Sequence, residues 1–213
     1  MKCDRKWMAL YAVTDRSWLH GRTLLEQAES AIRGGATCIQ LREKELAGEA
    51  FLEEALAMKK LCSRYGVPMF VNDNVDVAIA CGADGVHIGQ DDLPAREVRK
   101  RIGPGMMLGV SAHTVEQALK AKEDGADCLG VGAVFTTGTK QDAGHVTYET
   151  LKAICAEAGL PVVAIGGINK ENIHALAGSG IDGVAVVSAL FAAADTEAAA
   201  RELREVIRKE LNR

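Results

Sequence analysis

Eight short apolar runs, separated by segments of helical periodicity, constrain the fold of this 213-residue chain more than any other feature. None of the runs alternates regularly between apolar and polar residues, which is typical of parallel strands covered on both faces. Eight strand–helix units in a chain of this length predict an α/β fold, a minimal (β/α)8 TIM barrel, as a single domain over residues 1–213. The predicted strands are 8–14, 38–42, 68–71, 85–88, 107–110, 128–135, 161–165 and 183–187.

A doubly wound open sheet is the alternative α/β architecture. Its dinucleotide-binding form carries GxGxxG after the first strand, whereas this chain has the tetrapeptide 13–16, VTDR, at that place. The helical segments are clear in both architectures. Apolar residues recur at spacings of one, three and four in 51–65, and residues 196–211 combine an apolar stripe with a charged face.

A faint internal repeat supports the barrel as against a chain of two domains. The segments GGATCIQL (34–41), CGADGVHI (81–88), DGADCLGV (124–131) and GSGIDGVAV (178–186) each join a helix end to an apolar run. We expect their glycines to end the preceding helices. All four segments precede even-numbered strands, as expected of a barrel grown from repeated two-strand units.

Charge and cysteine usage exclude several classes of partner. The net charge is −4 and no long run of lysine or arginine occurs, which argues against nucleic acid as the main partner. No segment approaches the roughly 20 apolar residues of a membrane span. The six cysteines show no metal-ligand spacing and a chain of this size needs no disulfides, so we expect a soluble, cytoplasmic protein with free thiols.

Charged residues collect after the predicted strands, where the chemistry of a barrel is located. Each taken singly could be a helix cap or a solvated side chain. Together they supply cations and hard oxygen ligands, with no cysteine or histidine directly beside the carboxylates, which suits Mg²⁺ and a diphosphate. The cations are Arg42, Lys44 and Lys140, and the carboxylates are Asp73, Asp91 and Asp92.

A second anion site is predicted on the same rim. Gly166 and Gly167 follow the seventh strand and Ser188 follows the eighth, at the recurrent phosphate site of this fold. The polar loop 136–140, TTGTK, could also close on an anion, although a surface loop is the plainer reading of it alone. Two anion sites indicate two phosphorylated substrates, or one substrate with a phosphate at each end.

The sequence resembles the thiamine-phosphate synthase family over nearly its whole length, roughly residues 10–207. The motifs are QLREK (40–44), FVNDN (70–74), GVHIGQDD (85–92), LGVSAHT (108–114), VGAVFTTGTK (131–140), AIGGI (164–168) and GVAVVSAL (183–190). The resemblance implies a (β/α)8 barrel that joins 4-amino-2-methyl-5-(diphosphooxymethyl)pyrimidine to hydroxyethylthiazole phosphate. The implied products are thiamine phosphate and pyrophosphate, and the implied cofactor is Mg²⁺.

The resemblance also assigns roles to individual residues. Those implied to bind the pyrimidine diphosphate are Gln40, Leu41, Arg42, Glu43, Lys44, Asn72, Ser111 and Lys140. Those implied to bind the thiazole phosphate are Thr137, Gly138, Thr139, Gly167, Val187 and Ser188. The implied metal ligands are Asp73 and Asp92, and the implied catalytic residues are Arg42, Lys44, Ser111 and Lys140.

One residue departs from the family pattern. Many members have proline before the Thr-x-Thr-Lys run, and this chain has Thr136, which leaves the backbone of the loop less fixed. Every side chain expected to touch a ligand is nevertheless present. The rim carries no evident base or nucleophile, which favours a dissociative substitution driven by electrostatics and positioning over in-line displacement.

Two other functions remain open at this point. A related thiazole tautomerase would carry a histidine near the end of the sixth strand, where this chain has Ala133. A non-catalytic thiazole-phosphate binder on the same fold would have no need of the diphosphate and magnesium set. His87 is read as a hydrogen-bonded histidine of the core or rim, His113 has either a helix-entry or a site role, and the oligomeric state is not predicted.

Overall fold

Eight parallel strands close into a barrel in the computed structural model, which describes residues 2–136 and 145–211. Each strand pairs with the next along the chain, and β1 pairs with β8 to complete the ring. The predicted (β/α)8 barrel is therefore confirmed. The strands are β1 Leu10–Val13, β2 Cys38–Leu41, β3 Met69–Asn72, β4 Gly85–Ile88, β5 Met107–Ala112, β6 Cys128–Val131, β7 Val162–Ile165 and β8 Gly183–Val186.

Helices surround the barrel and connect its strands. They are α1 Leu24–Arg33, α2 Gly48–Tyr65, α3 Val75–Ala80, α4 Ala95–Ile102, α5 Val115–Glu123, α6 Tyr148–Ala158, α7 Ser188–Phe191 and α8 Thr196–Leu211. Short 3₁₀ turns lie at Arg5–Met8, Arg16–Trp18 and Ile173–Leu176, the last in the place of a helix between β7 and β8. Within the described ranges, no helix has both the length and the apolar character to cross a bilayer.

The sixth strand ends four residues earlier than predicted. The apolar run extends to Phe135, but the barrel ladder stops at Val131. Beyond it, Val134 N donates to Ile165 O (3.0 Å) and Phe135 N donates to Gly166 O (3.1 Å), so the segment lies over the end of β7. Residues 132–135 are apolar because they are largely covered there, not because they form a strand.

Side chains alternate between the inside and the outside of the barrel, as the pleat of a strand requires. Inward positions form a small core inside the barrel, whereas outward positions join the larger core under the helices. The inside is filled by pairing large residues with glycine. The ring of Phe70 occupies the space where a side chain at Gly85 would lie.

The four internal repeats form a ring of equivalent contacts at the amino-terminal rim. The residue before each even-numbered strand accepts a hydrogen bond from a backbone N–H at the start of the preceding odd-numbered strand. The acceptor is a carboxylate in three repeats: Asp84 from Met69, Asp127 from Leu108 and Asp182 from Val162. In the first repeat Thr37 Oγ1 accepts from Leu10. The repeat seen in the sequence therefore stabilises the rim opposite the carboxyl ends of the strands.

Candidate active site

A cavity of about 520 Å³ opens at the carboxyl ends of the strands. It brings together most of the residues predicted for both substrates, from loops that lie up to about 150 residues apart in the chain. The predicted residues that line it are Gln40, Arg42, Lys44, Asn72, Asp73, Asp91, Asp92, Ser111, Gly166, Gly167, Val187 and Ser188. One continuous cavity therefore contains members of both groups of predicted contacts.

Two predicted contacts do not line this cavity. Leu41 is fully buried and faces outward into the core under the helices, because its neighbour Gln40 faces inward. Glu43 turns its carboxylate away from the cavity toward Arg16. The predictions for Thr137, Gly138, Thr139 and Lys140 lie outside the described residues.

Asp73 and Asp92 form a pair of carboxylates at the cavity wall. Asp73 adopts a left-handed backbone conformation with φ of 63°, which is uncommon for a residue other than glycine, and its N–H donates to His87 O. Burial, and then the neighbouring Asp92 carboxylate, raise the pKa of Asp73. Asp92 Oδ2 accepts a hydrogen bond from Gly89 N at 2.6 Å. The two acidic groups are therefore held close together even though their charges repel.

The two cations of the 40–44 segment differ in how firmly they are held. Arg42 Nη1 donates to Asp15 Oδ2 at 2.8 Å, and the Arg42 side chain is only 24% exposed. Lys44 Nζ lies 3.4 Å from Asp73 Oδ2, and its side chain is 58% exposed. Arg42 is thus fixed before any ligand binds, whereas Lys44 is free to adjust.

The floor of the cavity presents two polar side-chain pairs. Gln40 Nε2 lies 3.1 Å from the hydroxyl of Tyr11, and His87 Nε2 lies 3.1 Å from Ser111 Oγ. Burial raises the pKa of Tyr11 well above its ordinary value, so the phenol keeps its proton. These pairs offer fixed hydrogen-bonding groups to a flat heteroaromatic ring.

His87 fits inside the barrel because two facing positions are glycine. A Cβ added at Gly109 would lie 2.5 Å from His87 Nδ1, and one at Gly130 would lie 3.0 Å from His87 Cε1. Real carbon atoms do not approach so closely, so alanine at Gly109 would displace the imidazole. The ring that contacts Ser111 is therefore held by strands β5 and β6 together.

Another polar part of the cavity lies where the end of β5 meets the segment after β6. His113 Nδ1 lies 2.6 Å from Gly132 O, which points the other ring nitrogen away from this contact. Gln90 Nε2 donates to Ser111 O at 2.5 Å. His113 therefore has a site position as well as its place before α5.

The opposite end of the cavity is formed by backbone. Gly166 and Gly167 have φ of 103° and 65°, and the chain of residues 133–136 lies directly against them. A Cβ at Gly166 would lie 2.5 Å from Ala133 Cβ, and the carbonyl oxygen of Thr136 packs against Gly167. With Ser188 at the start of α7, these residues form an uncharged wall suited to an anion bound by backbone N–H groups.

The Glu43 carboxylate is a structural anchor for the 42–46 loop. It accepts hydrogen bonds from Arg16 Nε (2.5 Å) and from the N–H groups of Glu45 (2.6 Å) and Leu46 (3.0 Å). Burial alone would raise the pKa of Glu43, but these donors lower it to about 2. Arg16 also contacts Glu54, whose pKa is raised by burial and by the nearby Glu43.

Replacing Glu43 with glutamine should lower the free energy of unfolding at pH 7 by about 2 kcal/mol. The folded-state pKa of Glu43 lies below its ordinary value of 4.5, so its stabilisation is complete above pH 4.5 and is lost as the pH falls toward 2. The difference between wild type and variant should therefore shrink at pH 3. Urea unfolding at the two pH values measures it. Glu53→Gln, at an exposed position of the same helix α2, is the control, and a Glu43→Gln difference independent of pH would contradict the prediction.

Several cavity residues were absent from the predicted site. Tyr11, Val163 and Ala185 occupy inward strand positions, and Gln90 and His113 lie just beyond strand ends. The sequence does contain a signal for the first three. Once Gln40 is assigned to the inside, the two-residue period and the strand register identify the other inward positions.

The comparisons with known proteins agree on one family. A family model described as thiamine monophosphate synthase matches residues 10–190. A thiamine-phosphate synthase of Clostridium botulinum (strain Eklund 17B / Type B) is 50% identical over 197 residues, covering 92% of each chain. One from Moorella thermoacetica (strain ATCC 39073 / JCM 9320) is 50% identical over 199 residues, covering 93% of this chain and 95% of the relative.

Two solved structures resemble the chain to different degrees. Thiamine phosphate pyrophosphorylase from Pyrococcus furiosus superposes with a TM-score of 0.90 at 39% identity, covering 97% of this chain and 98% of that chain. A 3-hexulose-6-phosphate synthase has a TM-score of 0.68 at 20% identity, which is a likeness of fold alone.

Proposed function

The chain belongs to the thiamine monophosphate synthase family, and from this membership we propose that it is a thiamine-phosphate synthase. It joins 4-amino-2-methyl-5-(diphosphooxymethyl)pyrimidine to hydroxyethylthiazole phosphate and releases pyrophosphate. The reaction is a transfer of the pyrimidinylmethyl group from diphosphate oxygen to thiazole nitrogen. Both substrates are small phosphorylated molecules, which suits a cavity of about 520 Å³.

The observation that carries the proposal is the presence of two of the predicted carboxylates and two cations in the lining of one cavity. Asp73, Asp92, Arg42 and Lys44 all line it. A binder of a lone thiazole phosphate would need only the backbone wall at Gly167 and Ser188. A diphosphate bound together with a divalent cation would account for this mixture of cations and carboxylates.

The donor set fits Mg²⁺. No group of three or more His, Cys, Asp or Glu side chains suited to a metal occurs within 2–136 and 145–211, and Mg²⁺ commonly takes only one or two carboxylates plus waters and substrate phosphates. Burial, and then repulsion from Asp92, raise the pKa of Asp73, and a bound cation would relieve the repulsion. We assign Asp73 and Asp92 as its ligands, and when bound it would neutralise part of the diphosphate charge.

The remaining assignments divide the cavity between the two substrates. Gln40 and Ser111 hold the aminopyrimidine ring through hydrogen bonds, since both are already fixed by neighbours on the floor. Asn72 is assigned to the same substrate. Gly167, Val187 and Ser188 take the thiazole phosphate, and Thr137, Gly138 and Thr139, which lie outside the described residues, are assigned to the same group.

The proposed step is dissociative. The bond between the methylene carbon and the diphosphate oxygen breaks, and its electron pair leaves on pyrophosphate. Arg42, Lys44 and Lys140 bind the charge that develops on that oxygen, while the aminopyrimidine ring stabilises the carbocation. The lone pair of the thiazole nitrogen then forms the new carbon–nitrogen bond, so neither a base nor a nucleophilic side chain is required. In-line displacement is the alternative route.

Incubation of the purified protein with both substrates and Mg²⁺, followed by mass spectrometry, tests the proposal. We expect thiamine phosphate and an equimolar amount of pyrophosphate. A thiazole tautomerase would isomerise the thiazole alone, and a binding protein would retain ligand without turnover. Either of those outcomes would overturn the proposed function.

A further inference from the structure

We propose that Asp15 is a positioning residue for Arg42 and fixes its guanidinium in the orientation that receives the diphosphate. The inference rests on the proposed function, because it assigns a role in binding the same substrate. Asp15 does not line the cavity, whereas Arg42 does. Asp15 is outside the lining of the cavity, so its positioning effect on the substrate acts through Arg42.

The contact between the two side chains is short and largely removed from water. Asp15 Oδ2 accepts from Arg42 Nη1 at 2.8 Å, and the two side chains are 10% and 24% exposed. The other carboxylate oxygen of Asp15 accepts from Ser17 N at 2.9 Å and so caps the 3₁₀ turn Arg16–Trp18. Both oxygens are occupied, and the carboxylate has one orientation.

The backbone of Arg42 is fixed by the residue next to Asp15. Thr14 Oγ1 accepts a hydrogen bond from Arg42 N (3.0 Å) and lies 3.3 Å from Arg42 O. Thr14 N in turn donates to Gln40 O at 3.0 Å. The end of β1 therefore holds both the backbone and the side chain of Arg42.

Two consecutive ion pairs, with the charges reversed between them, join the ends of β1 and β2. Asp15 pairs with Arg42, and the next residue in each segment, Arg16 and Glu43, forms the second pair at 2.5 Å. The second pair continues to Glu54 on α2, away from the cavity. The two arginines therefore differ in role. Arg16 pairs with Glu43 and Glu54 away from the cavity, whereas Arg42 lines it.

The chemistry of guanidinium makes this arrangement useful. Arg42 has five N–H donors in a rigid fork, and the Asp15 contact uses one of its terminal nitrogens, leaving donors for phosphate oxygens. A side chain ordered in advance loses less conformational freedom on binding. The two possible effects of Asp15 have opposite signs: positioning strengthens binding of the diphosphate, whereas its negative charge alone would weaken it.

The sign of the KM change in Asp15→Asn shows which effect is larger. Asparagine keeps an oxygen that can cap Ser17 N, but it removes both the charge and the acceptor that Arg42 uses. We expect the KM for the pyrimidine diphosphate to rise about tenfold, equivalent to about 1.4 kcal/mol, and the KM for the thiazole phosphate to change less than about twofold. Asp4→Asn is the matched control, since Asp4 caps the 3₁₀ turn Arg5–Met8 in the same way, far from Arg42. Circular dichroism checks that each variant is folded.

A double-mutant cycle with Arg42→Ala completes the test. In the Arg42→Ala background, Asp15→Asn should not raise either KM, because the positioned group is absent and only the removal of a negative charge remains. A second variant, Asp15→Glu, keeps the charge but moves the carboxylate and should raise the diphosphate KM by less than Asp15→Asn. An unchanged or lowered diphosphate KM for Asp15→Asn overturns the inference. Absence of thiamine phosphate with the wild-type protein would instead overturn the proposed function.

Discussion

Replacing Asp73 with asparagine is expected to lower kcat/KM for the pyrimidine diphosphate by about 100-fold or more. The substitution removes one of the two proposed carboxylate ligands of Mg²⁺ and leaves a residue of nearly the same shape. It should also raise the Mg²⁺ concentration needed for half-maximal activity. Initial rates over a magnesium titration measure both effects.

Stability should not fall in this variant, which makes the result easy to interpret. Asparagine tolerates the left-handed conformation that Asp73 adopts at φ of 63°. It also removes a buried charge and its repulsion from Asp92, which are the two largest causes of the raised pKa of Asp73. We expect an equal or higher free energy of unfolding. Asp76→Asn is the control, since Asp76 is 80% exposed and pairs with Arg101 at the surface. Activity of Asp73→Asn within about threefold of wild type would show that Asp73 is not a ligand.

Replacing Asp182 with alanine is expected to lower the free energy of unfolding by about 3 kcal/mol. The Asp182 side chain is fully buried at the amino-terminal rim. Its Oδ2 accepts from Val162 N at 2.9 Å and from Arg5 Nη1 at 2.6 Å. The variant therefore leaves a buried N–H without its acceptor and separates the first 3₁₀ turn from β7. Urea unfolding followed by circular dichroism gives the difference.

Asp84→Ala provides a matched comparison at an equivalent position. Asp84 Oδ2 accepts from Met69 N at 2.8 Å and pairs with Lys59, but its side chain is 24% exposed. Water can reach the groups that this variant leaves, so the expected loss is about 1 kcal/mol. Asp182→Thr should lose less stability than Asp182→Ala, because Thr37 performs the same role in the first repeat. Equal losses for Asp84→Ala and Asp182→Ala would contradict the dependence on burial.

The architecture could be predicted from the sequence because every strand is short, apolar and bounded by turn residues. The positions after the strands were also predictable, because a barrel places all of them at one rim. The predicted sixth strand extends four residues too far for a physical reason. Residues 132–135 are apolar since they are covered by the end of β7, and composition does not distinguish a buried loop from a buried strand.

The site was less predictable where side-chain direction decides the outcome. Leu41 and Glu43 lie within the motif 40–44, but one faces outward and the other is held by Arg16. A motif gives the position of a residue in the chain, whereas the pleat and local ion pairs decide where its side chain points. Asp15 shows the converse case. It is adjacent to no predicted contact in sequence, and only the closing of β1 against β2 brings it to Arg42.

The glycines that accommodate His87 and Phe70 have a consequence for how the cavity could be redesigned. Space inside the barrel is shared across strands, so the imidazole of β4 depends on Gly109 of β5 and Gly130 of β6. A library of variants at one of these positions alone would mostly contain proteins in which side chains overlap or leave an empty space inside the barrel. Varying His87, Gly109 and Gly130 together would change the shape of the cavity floor while the total side-chain volume stays constant. Phe70 and Gly85 form a second set of this kind. Such sets are the natural units for widening the floor toward larger heteroaromatic rings.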